Sequence, residues 1–584
     1  MLSANKEKLD SYFTGHTHFV VPFFQRSYVW EVDNWNELWD NIIDVKDQIT
    51  KKQKTEHFIG TIIVKQKLTE EIGSVKYDLV DGQQRLTTLC LLIRALYDTC
   101  QDASLKEWIY PKIIFKDSFG RTHIRIEHSR IDKEYFSQIM LSKDKNSIIW
   151  QNYKKNSSGE KNQEHRIIQA YCFFREQIEA FCQSDEDIRK LTMIILNYLP
   201  VINMTLTDND DVQQIFDTIN SLGVKLTTAE LLKNHLYSNI EVTEYYDKYW
   251  RDIFEKDEDA ISFWNADKTS GRIVRSTIEM FLYSFLVIKK ESSIRLENLF
   301  NEFKHYLKDR SNNEIIEFAK EIKDYANIYA EFPDGENLVE IGFKETEKRF
   351  FHIINGFEIT TILPLVLLLY KVVKDQNELN SILEVLESYI VRRTVCKLTT
   401  KNYNNLFISL IKEIKKEPNI TSDLLKEKLL KYKEDTNRFP NNDEFKQAFL
   451  NKNLINRYSL ELLYCISLFN LSHKYQDDKK LNMSGLTVEH LMPKKWRNNW
   501  PNPTENTEFE RDSLLLTLGN LTLVQGRLNS SMRDSTWETK KTSLKDRSRL
   551  NITTDYIDLQ QWNEFNIQKR GSDLFDIAIQ IWKI

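Results

Sequence analysis

Apolar residues in the first hundred positions fall into short runs, His18 to Pro22, Phe58 to Val64 and Tyr77 to Val80, each the length of a strand and rich in β-branched or aromatic side chains. Between the first two runs the spacing lengthens to three and four residues, with Trp35, Leu38, Trp39, Ile42 and Ile43 on one face, which predicts an amphipathic helix. The third run passes directly into Asp81-Gly82-Gln83-Gln84-Arg85 and then an apolar helix, Leu86 to Leu96. A strand, a tight polar turn and a helix N-terminus therefore follow one another.

From about 165 to 240 the periodicity is helical, broken by Leu199 to Leu206, which alternates like a strand. Asp208 to Asp211 is an acidic helix start, Gln213 to Ile219 its body, and Asn220-Ser221-Leu222-Gly223 its stop; Thr227 and Glu230 form a capping box for a helix through Leu236. Residues 240 to about 470 are Leu-, Ile- and Phe-rich at helical spacing, and the chain turns polar over 471 to 486. The pattern predicts a multidomain α+β protein: an α/β domain over 1–238, a mainly helical connector over 239–470 and a last domain over 471–584.

Composition narrows the class. The 584 residues are 41% hydrophobic and 29% charged with only 15 Gly and 10 Pro, which fits globular domains rich in helix. A net charge of -5 gives no global basic field, so any nucleic-acid contact must be a local patch. The six cysteines, at 90, 100, 172, 182, 396 and 465, never approach CxxC spacing, which argues against a zinc ribbon or disulfide framework and for a reducing cytoplasm. No signal peptide or membrane span is expected; the longest apolar run, Ile362 to Tyr370, contains Pro364 and reads as a buried helix.

The most informative stretch is Val488-Glu489-His490-Leu491-Met492-Pro493, followed by Gly519-Asn520-Leu521-Thr522, Asn529, Trp537 and Lys540. Phosphodiester hydrolysis needs a base for water, a divalent ion to neutralise developing charge, and oxygen ligands to hold that ion. His490 can be the base, and Glu489 and Asn529 can hold Mg²⁺ or Mn²⁺. The segment resembles the His-Me finger (HNH) nucleases of ββα-metal fold. That resemblance implies Glu489 and Asn529 as metal ligands, His490 as general base, Asn520 as the brace of the loop and Lys540 as a supporting phosphate-binding residue. Between Leu491 and Leu550, eleven Lys/Arg stand against seven Asp/Glu, a surplus that suits a phosphate backbone.

Asp81-Gly82-Gln83-Gln84-Arg85 can cradle phosphates on the helix N-terminus with Arg85 as a charge-assisted clamp, and Asp81 can hold Mg²⁺ or position water. It is not a Walker A loop. Together with Val21 to Trp30, which contains Gln25 and Arg26, and Gln214 to Thr227, which contains Asn220 and Lys225, it resembles the N-terminal domain of GmrSD-type, modification-dependent (type IV) restriction enzymes, similar in fold to ParB/sulfiredoxin-like modules. The resemblance implies binding and hydrolysis of an NTP. Gln25 and Arg26 would meet the nucleotide, Asp81, Gly82, Gln83, Gln84 and Arg85 would form the core of its site, and Asn220 and Lys225 its far wall.

The middle of the chain echoes the family in Tyr389 to Arg393 and Phe439 to Phe445, where Arg392 and Arg393 are candidates for contact with DNA or the nucleotide, although paired arginines on a helix are more often solvated or in ion pairs, and they are not counted among the site residues. The whole resemblance implies a cytoplasmic, NTP-dependent endonuclease acting on foreign, modified phage DNA. A nucleotide-dependent DNA sensor with an inactive nuclease and a toxin-like nuclease acting on host nucleic acid are the alternatives, and homo-oligomerisation is left open.

Overall fold

A computed structural model describes residues 3–15, 17–22, 25, 27–53, 56–66, 75–128, 130–142, 165–206, 227–237, 244–270, 273–474, 479–504, 507–526, 528, 532–547 and 550–584. They form two compact units, 1–234 and 235–584. The expectation of a multidomain chain mixing helix and sheet holds.

In the first unit six strands build a mixed sheet: β1 (Ser3–Glu7), β2 (Thr17–Val20), β3 (Gly60–Gln66), β4 (Val75–Asp81), β5 (Ile126–Glu127) and β6 (Val201–Leu206), in the order β1-β6-β3-β4-β2-β5. β3 runs parallel to β6 and antiparallel to β4, with a register shift between Ile63 and Val64. The β-branched centre of β3, Ile62 to Val64, is fully buried. Four strands match the apolar runs of the sequence to within two residues. β1 was not foreseen, because Ser-Ala-Asn-Lys-Glu carries no apolar alternation; it is recruited as an edge by pairing with β6.

Helices cover the sheet. In α1 (Val32–Thr50) Trp35, Leu38, Trp39, Ile42 and Val45 are the buried stripe, and the Asn34 carboxamide accepts the Glu31 N–H at 3.1 Å to start it. α2 (Gln83–Thr99) is buried around almost its whole circumference and packs along α3 (Arg166–Phe181), which makes it the central helix of the unit. The capping box of α4 (Thr228–Leu236) forms: Thr227 N–H donates to Glu230 Oε2 at 2.8 Å, and Glu230 N–H donates to Thr227 Oγ1 at 3.2 Å. The helix read over 208–223 lies outside the described residues.

The second unit is chiefly helical, and holds both the middle of the chain and its C-terminal part. The apolar run at 362–370 becomes α5 (Leu363–Val372), with Pro364 in its first turn, where a missing N–H costs nothing. α6 (Gln376–Val395) carries Arg392 and Arg393, both fully buried. Arg392 donates to the carbonyls of Trp582 and Pro440; Arg393 donates to those of Arg438, Thr399, Thr436 and Asp435. They lock connections inside the core, which corrects their reading as DNA contacts. α7 (Asn442–Asn451) starts at Asn441, whose Oδ1 accepts the Glu444 N–H at 2.9 Å. α8 (Asn456–Lys474) packs against the strands and the last helix of the C-terminal part. No disulfide is formed, and among the described residues no helix is long and apolar enough to cross a membrane.

Arg125 is the corresponding lock in the first unit. Its guanidinium donates to the carbonyls of Pro111 at 2.8 Å, Gly15 at 2.7 Å and Thr17 at 3.0 Å, joining the start of β2 to the turn Tyr110–Lys112. Arg125→Met removes a buried guanidinium from those carbonyls and is expected to lower the stability of this unit by about 2–4 kcal/mol. Hydrogen exchange of β2 and its neighbours measures it; exchange at the wild-type rate would show that water replaces the guanidinium.

Candidate active site

Two antiparallel strands, β7 (Leu486–His490) and β8 (Leu521–Gln525), carry the C-terminal constellation, with Glu489 opposite Thr522 and His490 opposite Leu521. Strand alternation points Glu489 inward, where it is 5% exposed, and leaves His490 half-buried at the strand end. The chain then leaves through Leu491-Met492-Pro493 into a long excursion that returns at the turn Leu518–Asn520.

Asn520 joins the two ends of that excursion. Fully buried, it accepts the Met492 N–H at 2.8 Å and the Trp562 indole N–H at 3.0 Å on Oδ1, and donates from Nδ2 to the carbonyls of Met492 at 2.8 Å and Leu515 at 2.9 Å. All the hydrogen-bonding capacity of the carboxamide is used, so Asn520 positions the loop and does not touch substrate. The turn that presents it is held by α10 (Glu564–Ile581): Arg570 donates to Gly519 O at 2.8 Å and Leu518 O at 3.1 Å. A Cβ on Gly519 would lie 2.2 Å from Ile567 O, so only glycine allows this approach.

Lys540, on α9 (Trp537–Arg547), is completely buried. Its ammonium hydrogen-bonds Glu489 Oε1 and donates to His490 O at 2.6 Å. Its expected role at a phosphate is therefore corrected: the cation is spent internally on the carboxylate and the strand end. Burial pushes the Glu489 carboxyl up and the Lys540 ammonium down, and their contact opposes both shifts. His490 is pushed down to about 4, first by burial and then by the Lys494 and Lys540 ammoniums, which leaves the imidazole neutral near pH 7. Its Nε2 is buried without a hydrogen-bond partner among the described residues. Asn529 lies outside the described residues, and no group of three or more His, Cys, Asp or Glu able to hold a metal occurs among them.

In the first unit, Asp81 ends β4, Gly82 adopts φ +92° and Gln83 opens α2. A Cβ at Gly82 would lie about 3.2 Å from Ile62 Cα and Thr61 O, so glycine is required twice over, for the backbone conformation and for the approach. Glycine also leaves the helix without a side-chain cap. Asp81 and Arg85, each about a quarter exposed, stand 3.7 Å apart, and Arg85 donates to Thr61 O at 2.7 Å.

Two of the three glutamines assigned to the nucleotide have other work. Gln84 donates to Ser27 O at 3.1 Å and accepts the Val29 N–H at 2.8 Å; Gln25 donates to Val80 O at 3.1 Å. Gln84 fastens the backbone at Ser27 and Val29 to α2, and Gln25 ties its own position to β4. Asp132, which no motif marked, holds the residue between Ser27 and Val29 by accepting the Tyr28 N–H at 2.8 Å. Gln83 is buried beside them, and Arg26, Asn220 and Lys225 lie outside the described residues.

Residues 6–237 match the N-terminal domain of the GmrSD restriction endonucleases and residues 439–577 match their C-terminal domain, so the chain belongs to the GmrSD restriction endonuclease family. An uncharacterized protein of Methanocaldococcus jannaschii is 25% identical over 320 residues, 51% of each chain; this chain thus spans about half the length of that curated relative.

Asn520→Ala removes two donors and an acceptor from Met492, Leu515 and Trp562 at once. The C-terminal part is expected to lose about 2–4 kcal/mol, and Asn520→Asp, which keeps the acceptor but sets a buried carboxylate oxygen against the carbonyls of Met492 and Leu515, at least as much. Urea unfolding followed by tryptophan fluorescence measures both; equal stability of Asn520→Ala and wild type would refute the bracing role.

Proposed function

We propose that the protein is a type IV restriction nuclease, in which an NTP bound at the start of α2 licenses hydrolysis of phosphodiesters in modified phage DNA by a one-metal His-Me finger site at the end of β7. The observation that carries this reading is His490: a neutral imidazole whose Nε2 has no partner among the described residues, on a strand end whose exit is fixed by Asn520. Such a nitrogen can take the proton of an attacking water. An anionic phosphate drawn beside it favours the imidazolium, which moves its basicity toward working pH.

The donors suit a hard divalent ion such as Mg²⁺ or Mn²⁺: the Glu489 carboxylate and the Asn529 carboxamide offer oxygen, and water completes the shell of such ions. When bound, the ion would neutralise charge on the phosphate and the leaving oxygen. Lys540 meanwhile keeps the buried Glu489 carboxylate compensated and ties it to the strand through His490 O.

At the other site, the uncapped start of α2 supplies backbone N–H groups and the positive end of the helix dipole, both suited to phosphates. Arg85 adds a guanidinium, and Asp81 a carboxylate able to hold an ion or orient water. Gln25 and Gln84 serve this ParB-like site from behind, Gln84 by holding Ser27 and Val29 and Gln25 by its bond to Val80 O. A second reading, a nucleotide-dependent DNA sensor with a silent nuclease, is favoured by one observation, the neutralisation of Glu489 by Lys540.

The test compares cleavage of plain and cytosine-modified DNA with Mg²⁺ or EDTA and with each NTP. Wild type is expected to cut only with the metal. His490→Ala should cut at least about 10²-fold more slowly, and Arg85→Ala should lose the response to NTP. Cutting by His490→Ala at the wild-type rate would sink the reading; binding of DNA without cutting under any of these conditions would favour the sensor.

A further inference from the structure

The nuclease reading leaves a place to fill, because Lys540 is buried on Glu489 and is not presented to a DNA phosphate. The excursion between β7 and β8 carries three cations close together, Lys494, Lys495 and Arg497. Arg497 is already neutralised: it donates to Glu508 Oε2 at 2.7 Å and Asp512 Oδ2 at 2.8 Å, and its guanidinium stacks on Trp496. Lys495 lies in the field of Asp534. Lys494 is exposed and has neither an ion pair nor a side-chain hydrogen bond among the described residues.

The backbone beneath it is held on both sides. Upstream, Met492 is clamped through N–H and C=O by Asn520. Downstream, Trp496 is fully buried and donates to Asp512 Oδ1 at 2.7 Å, Asn498 donates to Asp534 Oδ2 at 2.8 Å, and Trp500 donates to Ser535 O at 2.9 Å. An ammonium on a fixed turn costs only the ordering of its own stem when it meets an anion. Lys494 stands four residues after His490, on the same exit from β7 that Asn520 holds at Met492.

We infer that Lys494 is a substrate-contacting residue, binding a backbone phosphate of DNA beside His490. The inference rests on the nuclease reading above. A single phosphate contact by a lysine is sequence-independent and releases counterions, so its signature is the salt dependence of binding.

Binding of a short labelled duplex to the full chain in EDTA, followed by anisotropy over a salt titration, reads that signature without cleavage. Lys494→Ala is expected to reduce the magnitude of the slope of log K against log salt by about 0.9 and to weaken binding about 5-fold to 10-fold near ~0.1 M salt, equally for unrelated duplex sequences. Lys494→Arg should keep the wild-type slope. In Mg²⁺, Lys494→Ala should raise KM for cleavage and leave kcat near wild type. A wild-type slope and affinity in Lys494→Ala, with cleavage still lost in His490→Ala, overturns the assignment alone; cleavage that survives His490→Ala overturns the nuclease reading beneath it.

Discussion

The C-terminal site depends on one buried carboxamide. Asn520 reaches across the excursion between β7 and β8 and makes both hydrogen bonds that the Met492 peptide can offer on that side, as a neighbouring strand would. Everything that gives Glu489 and His490 their setting follows from this closure. The two strands stay in register, Lys540 finds Glu489 and the His490 carbonyl, and the Pro493–Trp500 turn starts from a fixed point. The closure is itself supported from α10, because Arg570 holds the carbonyls of Leu518 and Gly519 and the absence of a Cβ at Gly519 lets that turn lie against Ile567.

Buried arginines repeat this task throughout the molecule. Arg94 holds Met140 O and Ser142 O, Arg125 holds Pro111, Gly15 and Thr17, and Arg392, Arg393 and Arg570 hold connections in the second unit. The physical reason is common to all. Carbonyls at helix ends and in irregular connections need donors once buried, and a guanidinium offers five in a rigid fork without ever losing its charge. Burial pulls Arg125, Arg392 and Arg570 down to about 10, still far above neutrality. A protein with so many helices and so few glycines has many such carbonyls, and arginine meets them where solvent cannot.

Side-chain amides do the equivalent work in the first unit. Gln84 pairs with the backbone of Ser27 and Val29, Gln25 with Val80, and Asp132 takes the N–H between them. The backbone at Ser27 to Val29 is thereby held against α2, and the groups left facing outward at the start of that helix are Asp81 and Arg85. Motif residues thus divide into those that build the platform and those that stand on it.

The sequence by itself determined many of the elements and the candidates for chemistry: apolar runs located four of the six sheet strands, helical spacing located α1 and α2, and the types and order of Asp81-Gly82-Gln83-Gln84-Arg85, Glu489-His490 and Asn520 marked two candidate sites. The bracing role of Asn520 came from the resemblance to the His-Me finger nucleases alone, and its hydrogen bonds to Met492 and Leu515 fit that role. Only the tertiary structure decided which polar groups remain available. Lys540, Gln84, Arg392 and Arg393 are as polar as Arg85, His490 and Lys494, and nothing local separates them. Burial does, because a polar group removed from water must find its partner inside the molecule, and those partners lie up to about two hundred residues away in the chain, as Trp582 does from Arg392.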